Sequence, residues 1–187
     1  FTLDNVAGMF TDNANGHLWV GDGGNNRVLR FSIPKSAWSD TPSADMVLGQ
    51  SSFTTNFAGA GATGLDGTSN IVIDHTNNKL YVADKSNHRV LRFSYPITSN
   101  QQAAEVVLGQ TNFINTSSGT SQNKFNSPRA LAIDNTGRLW VGDWNNHRVL
   151  RFDNAHLKTN GANADGVLGQ SNFNSGNNVG PSQSSTT

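Results

Sequence analysis

Short apolar runs separated by clusters of Asn, Gly, Ser and Thr recur along the whole chain. One stretch of this pattern occurs three times without gaps, as LWVGDGGNNRVLRF from Leu18, LYVADKSNHRVLRF from Leu80 and LWVGDWNNHRVLRF from Leu139. The copies start 62 and 59 residues apart. A motif repeated at nearly constant spacing predicts a repeat protein rather than three unrelated motifs.

Each repeat contains four short strand signals. The first is an apolar run that ends in Asp, and its copies at residues 3–12, 65–74 and 125–134 align without gaps. A turn rich in Asn and Gly leads into the second strand, and a four-residue loop leads into the third, RVLRF, which is rich in strand-forming residues. The fourth signal is the sequence VLGQ, which begins at Val47, Val107 and Val167.

The apolar residues show no helical period, and runs such as Leu18-Trp19-Val20 place bulky side chains on both faces of a strand. Sheets that pack on both faces are typical of propeller blades. We therefore predict an all-β protein with three four-stranded antiparallel blades of a β-propeller. In this single repeat domain the blades occupy residues 1–53, 65–113 and 125–173, with linkers at 54–64 and 114–124 and a C-terminal tail at 174–187.

The repeated stretch resembles the NHL repeat, in which an Asp is followed by Asn and Arg and then by an apolar strand. The hallmark positions are occupied in the third copy by Asp143, Asn146, Arg148, Val149 and Phe152. The resemblance implies the propeller fold, and such propellers include protein-binding modules, RNA-binding modules, sensor domains and a few lyases or hydrolases. The repeats of this chain, at about 60 residues, are longer than the commoner forms of about forty.

The number of blades makes a prediction about assembly. Closed propellers have about 4–8 blades, so three alone would leave an apolar face of the first and the last blade in water. We expect a homodimer in which blade 3 of each chain packs on blade 1 of the other and closes a six-bladed ring. The alternative is that the chain is a fragment of a longer propeller, cut at a repeat boundary.

Composition limits the other partners. Lys plus Arg and Asp plus Glu number 13 each, so the chain has no net charge that would attract nucleic acid or a membrane. There is no Cys for disulfides or thiolate metal sites, and no apolar run approaches the length of about 20 residues that a membrane span needs. The abundance of Asn, Ser, Thr and Gly favours a secreted or cell-surface bacterial protein.

The Asp and Arg of each repeated stretch are predicted to be structural. The carboxylate precedes a tight loop and can accept hydrogen bonds from the backbone N–H groups of that loop. The Arg that closes the loop can form an ion pair with the same carboxylate. Residues that recur in every blade are usually part of the scaffold. This group consists of Asp22, Asp84, Asp143, Arg27, Arg89 and Arg148.

Residues that differ between the repeats are the candidates for ligand binding. In propellers the loops between second and third strands open on one end, together with the start of the first strand. The candidates there are Trp144, Lys85, His88, His147, Arg129 and Asn145. A Trp on a polar loop can anchor a protein or peptide or stack on a sugar ring, although packing of Trp144 between blades is an equally weighted alternative.

No catalytic residue, metal site or cofactor site is predicted from motifs. The histidines form neither H-x-H nor H-E-x-x-H, and no phosphate-binding or nucleophile-elbow motif is present. We predict a non-enzymatic scaffold that binds a protein, peptide or glycan on its loop face. The alternative is a metal-dependent hydrolase or lyase with His88 and His147 in the central channel, and RNA binding through Lys85, Arg129 and Lys124 is a weaker possibility.

Overall fold

The computed structural model describes residues 2–33 and 42–178, so the predicted tail is described only as far as residue 178. These residues form three four-stranded sheets. The first contains β1 (Val6–Asp12), β2 (His17–Asp22), β3 (Arg27–Ser32) and β4 (Met46–Leu48). The second contains β5 (Thr68–Asp74), β6 (Lys79–Asp84), β7 (Arg89–Ser94) and β8 (Val106–Leu108). The third contains β9 (Pro128–Ile133), β10 (Leu139–Asp143), β11 (Arg148–Phe152) and β12 (Gly166–Leu168).

The strands of each sheet are antiparallel and follow one another in chain order. Short 3₁₀ turns cover Gly23–Asn25, Trp144–Asn146 and Ala155–Leu157. The first strand of each sheet has an irregular register near its start, at Val6/Gly8 in β1 and at Thr68/Asn70 in β5. Such a bulge bends the strand, and here it lies beside the loop between the second and third strands.

The sheets pack face to face through their first strands, β1 on β5 and β5 on β9. One apolar core joins the first two sheets, where Trp19 and Val28 pack with Ile71 and Leu91. A second apolar core joins the second and third sheets and includes Tyr81, Val90, Leu139, Val141 and Leu150. The middle sheet is therefore covered on both faces, whereas each outer sheet has one face that no other sheet covers within the described residues.

Within that same part of the chain, no helix is long and apolar enough to cross a membrane.

Candidate functional site

The repeated Asp and Arg side chains form buried ion pairs that fasten the linkers to the blades. Asp84 accepts hydrogen bonds from Asp66 N at 2.7 Å, Asn87 Nδ2 at 2.9 Å and Arg89 Nε at 2.6 Å. The Arg89 guanidinium also donates to the carbonyls of Gly61 and Gly64, in the linker before this blade. The equivalent pairs are Asp22–Arg27 at 2.6 Å and Asp143–Arg148 at 2.7 Å.

Burial raises the pKa of Asp84 to about 6 and also raises the pKa of Asp143, while the paired Arg opposes the rise in each case. Both carboxylates and their arginines are buried. Their polar atoms are hydrogen-bonded within the protein itself. Their structural role stays a prediction for the stability measurements described below.

One loop position connects successive blades. Asn26, His88 and His147 occupy the same place in the three repeats, and each has a positive φ of about 50°, a conformation in which Asn and His are enriched. Asn26 Oδ1 accepts a hydrogen bond from Gly67 N at 2.8 Å, and His88 Nδ1 accepts one from Ser127 N at 3.0 Å. Burial lowers the pKa of His88, which suits an acceptor.

His88 therefore links blades 2 and 3 through its Nδ1 atom. The side chain of His147 is exposed, and none of the described residues donates a hydrogen bond to it. Two other candidates lie against their own blades. The Lys85 chain lies over Gly67, and Asn145 Nδ2 is 3.2 Å from Asn126 Oδ1.

The remaining candidates, Trp144, Arg129 and His147, lie together on the uncovered side of blade 3. The Arg129 guanidinium carbon is 4.6 Å from the centroid of the Trp144 ring, in cation–π geometry. All three side chains line a depression of about 380 Å³. We call this surface the blade 3 open face; its further lining residues are Ala130, Gly142, Asp143, Arg148, Val149, Leu168 and Gly169.

Apart from Asp143 and Arg148, sequence reasoning missed these further residues because each is small or apolar and looks like ordinary core. A signal was available in the alignment of the repeats. Leu168 is aligned with Leu48 and Leu108, which are fully buried between blades, yet Leu168 is more than half exposed. Within the described residues no further blade covers this core position of blade 3, so the repeat pattern itself could have identified the face.

The structure also describes the surroundings of the residues named for the metal-dependent alternative. Within the described ranges, no three His, Asp, Glu or Cys side chains are grouped so as to hold a metal ion. The Nδ1 atom of His88 is already engaged by Ser127 N. The basic residues proposed for RNA are likewise held separately: Lys124 Nζ donates to Gln110 Oε1, whereas Arg129 lies over Trp144.

Solved structures define the class of the protein. The chain matches a protein assigned as a 6-phosphogluconolactonase of Bacteroides uniformis ATCC 8492 with a TM-score of 0.57 and 13% identity, over 88% of this chain and 41% of that one. It matches a chain of a nidogen/laminin complex with a TM-score of 0.53 and 15% identity, over 90% of this chain and 49% of that one. Identities this low show the fold alone, which is the predicted all-β propeller.

The NHL repeat model matches two segments of the chain, residues 69–93 and 125–152. NHL repeat-containing protein 2 of Homo sapiens is 38% identical over 81 residues, which is 43% of this chain. The chain therefore contains NHL repeats in its second and third blades, as the resemblance around Asp143 predicted. It spans 11% of the length of that relative and under half of each solved chain. An NHL-repeat propeller supports a binding scaffold in general, because rigid blades hold exposed loops in fixed positions.

Proposed function

We propose that this chain is a protein-binding scaffold and that the blade 3 open face is its recognition surface. The observation that carries the proposal is the exposed Trp144, stacked by Arg129 at the edge of an apolar depression. Trp and Arg are the residue types most enriched among residues that dominate binding energy at protein interfaces. Trp144 offers a large rigid surface that loses little conformational entropy on binding.

The lining favours a protein or peptide over a glycan. Ala130, Gly142, Val149 and Leu168 present no side-chain hydrogen-bonding groups to the depression. A sugar needs partners for its hydroxyl groups, and burial of hydroxyls without such partners costs free energy. The Arg129 guanidinium also covers one face of the Trp144 ring, which leaves less of the ring for stacking on a sugar.

A display experiment tests this function. A random peptide library is selected against the whole chain carrying Met9→Lys. If the expected homodimer forms through blade 1, this charge on blade 1 should keep a second copy from competing for the face. The same protein is applied to a glycan array. Selected ligands are then measured against variants that also carry Trp144→Ala or the control Leu157→Ala, which removes another exposed apolar side chain from the Ala155–Leu157 turn.

We expect apolar peptides whose affinity falls at least about tenfold with Trp144→Ala and stays unchanged with Leu157→Ala. Glycan binding that depends on Trp144 would overturn the choice of a protein ligand. Peptides that bind equally well to both variants would overturn the choice of site.

A further inference from the structure

We infer that the protein bound by the blade 3 open face is a second copy of this chain, which inserts the start of its first strand, around Leu3, Asn5 and Met9, into the depression. The inference rests on the proposed function, since it names the occupant of the same surface. It is argued from two internal contacts, between blades 1 and 2 and between blades 2 and 3, that repeat the same arrangement.

The first repeated contact is an apolar side chain over a glycine. Gly49 and Gly109 follow the fourth strands of blades 1 and 2 with φ values of +87°. A Cβ on Gly49 would overlap the Leu65 side chain, and one on Gly109 would overlap the ring of Phe125. Gly169 has the equivalent place in blade 3 and a φ of +85°, but the three atoms nearest to its Cβ position belong to His147 and Arg148 of its own blade. No apolar side chain from another blade is therefore among the atoms nearest to Gly169, in contrast to Gly49 and Gly109.

The residue aligned with Leu65 and Phe125 in blade 1 is Leu3. Leu65 and Phe125 are fully buried, whereas Leu3 is exposed. The chain therefore carries both the open glycine site, in blade 3, and the side chain that fills such sites, in blade 1.

The second repeated contact is the hydrogen bond between blades. Asn26 receives it from Gly67 N and His88 receives it from Ser127 N, and both donors have a positive φ, of 65° and 59°. The aligned residue of blade 1 is Asn5, whose φ of 49° directs its N–H in the same way. The corresponding acceptor in blade 3 is Nδ1 of the exposed His147. Asn5 of a second copy would complete this pair.

The exposed part of blade 1 complements the depression. Met9 is 64% exposed, whereas the aligned Ile71 is 1% exposed and its Cδ1 lies 3.3 Å from a Cβ placed on Gly21. Gly21 is aligned with Gly142, so Met9 of the second copy would lie over Gly142. Farther out on this side of blade 1, Val20, Leu29, Phe31 and Val47 form their own buried cluster. The docking surface is accordingly the inner strand β1 and the segment before it.

Trp144 and Arg129 also have a place in this contact. Gly23, aligned with Trp144, lies under the carbonyl of Thr68 in the next blade, and Val6 is aligned with Thr68. Val6 is exposed, so it is available to pack on the Trp144 ring. Ser69 Oγ donates to Pro128 O at 3.1 Å, and the aligned Arg129 would donate to the carbonyl of Val6.

A second copy would cover the open faces of blades 1 and 3 at the same time. Two copies related by a two-fold axis place blade 3 of each on blade 1 of the other, and three blades per copy then give a ring of six. The zero net charge of the chain produces no overall repulsion between copies.

Crosslinking of single-cysteine variants tests the inference, because the natural chain has no Cys. Leu3→Cys and Leu168→Cys are each prepared alone and also co-expressed, and are treated with a short bis-maleimide. Both sites are exposed, so neither change should prevent folding. We expect covalent dimers from the co-expressed pair and little from either variant alone. The control pair, Leu157→Cys with Leu3→Cys, should not crosslink.

Crosslinks that form equally well with each single variant, or no crosslink in the co-expressed pair, would overturn the inference. The hydrogen bond is tested separately by the dimer dissociation constant. His147→Asn copies Asn26 and should change this constant less than about threefold, whereas His147→Leu removes the acceptor and should raise it about tenfold. Equal effects of the two changes would remove His147 from the contact.

These results separate the inference from the function on which it rests. A monomer that still binds selected peptides through Trp144 would overturn the second copy as occupant and leave the protein-binding face in place. Peptides that ignore Trp144, together with no crosslinking, would overturn both.

Discussion

The buried pair Arg89–Asp84 allows the stability account to be tested by one substitution, Arg89→Ala. Both side chains are fully buried and joined at 2.6 Å. Without the guanidinium, the Asp84 carboxylate would remain in the interior with only Asp66 N and Asn87 Nδ2 as hydrogen-bond donors. The carbonyls of Gly61 and Gly64 would each lose their bond to Arg89 as well.

Breaking a buried ion pair from one side costs about 3–5 kcal/mol, because an uncompensated charge is left in the interior. We therefore expect Arg89→Ala to lower the free energy of unfolding by about that amount. Arg138→Ala is the matched control, since Arg138 and Asp134 have nearly the same separation, 2.7 Å, but lie at the surface. Exposed pairs contribute about 0–1 kcal/mol.

The assay is urea unfolding followed by circular dichroism, with both variants compared with the unmodified chain at neutral pH. A loss with Arg89→Ala that is no larger than the loss with Arg138→Ala would refute the reasoning. It would mean that the repeated Asp and Arg residues do not hold the linkers, and that another role for them should be sought.

Three further changes have definite expected outcomes. Burial lowers the pKa of His88 from 6.5, so the unfolded chain binds the proton more readily than the folded chain. The free energy of unfolding should therefore fall as the pH drops below about 6.5. Urea unfolding at several pH values in this range should show a smaller fall for His88→Asn than for the unmodified chain. Gly109→Ala should destabilise the chain by about 1–3 kcal/mol more than Gly61→Ala, because both have a φ near +90° but only Gly109 faces Phe125. In the Met9→Lys background, in which no second copy should cover the face, Trp144→Ala should lower the free energy of unfolding by less than about 1 kcal/mol, since the ring is mostly exposed and its contact with Arg129 lies at the surface. A larger loss in urea unfolding would show that the ring packs between blades.

Much of the fold could be predicted from the sequence because the repeat presents each strand three times. Apolar residues on both faces of the strands, together with Asn and Gly at the turns, were sufficient to predict sheets that pack face to face. The irregular register at the start of the first strands could not be predicted. It depends on pairing of Thr68 with Asp84 across the sheet, which no local pattern records.

The candidate site was predicted less completely, since it depends on contacts between blades. Sequence comparison showed that Asn26, His88 and His147 share a position, but not that the first two accept a backbone hydrogen bond from the following blade. Likewise, Trp144 was named as a candidate aromatic anchor, with packing between blades as an equal alternative, whereas its contact with Arg129 appears only in the folded chain. Position within the stack of blades, rather than residue type, distinguishes His147 from His88.

The measurement that tests the account most directly is the mass of the intact chain in solution, by light scattering after size-exclusion chromatography across a dilution series. Docking of blade 3 on blade 1 predicts twice the chain mass of 20.0 kDa. Leu168→Lys, which places a charge on the blade 3 open face, should shift the mass towards that of one chain. A mass of 20.0 kDa for the unmodified chain at every concentration would contradict the account.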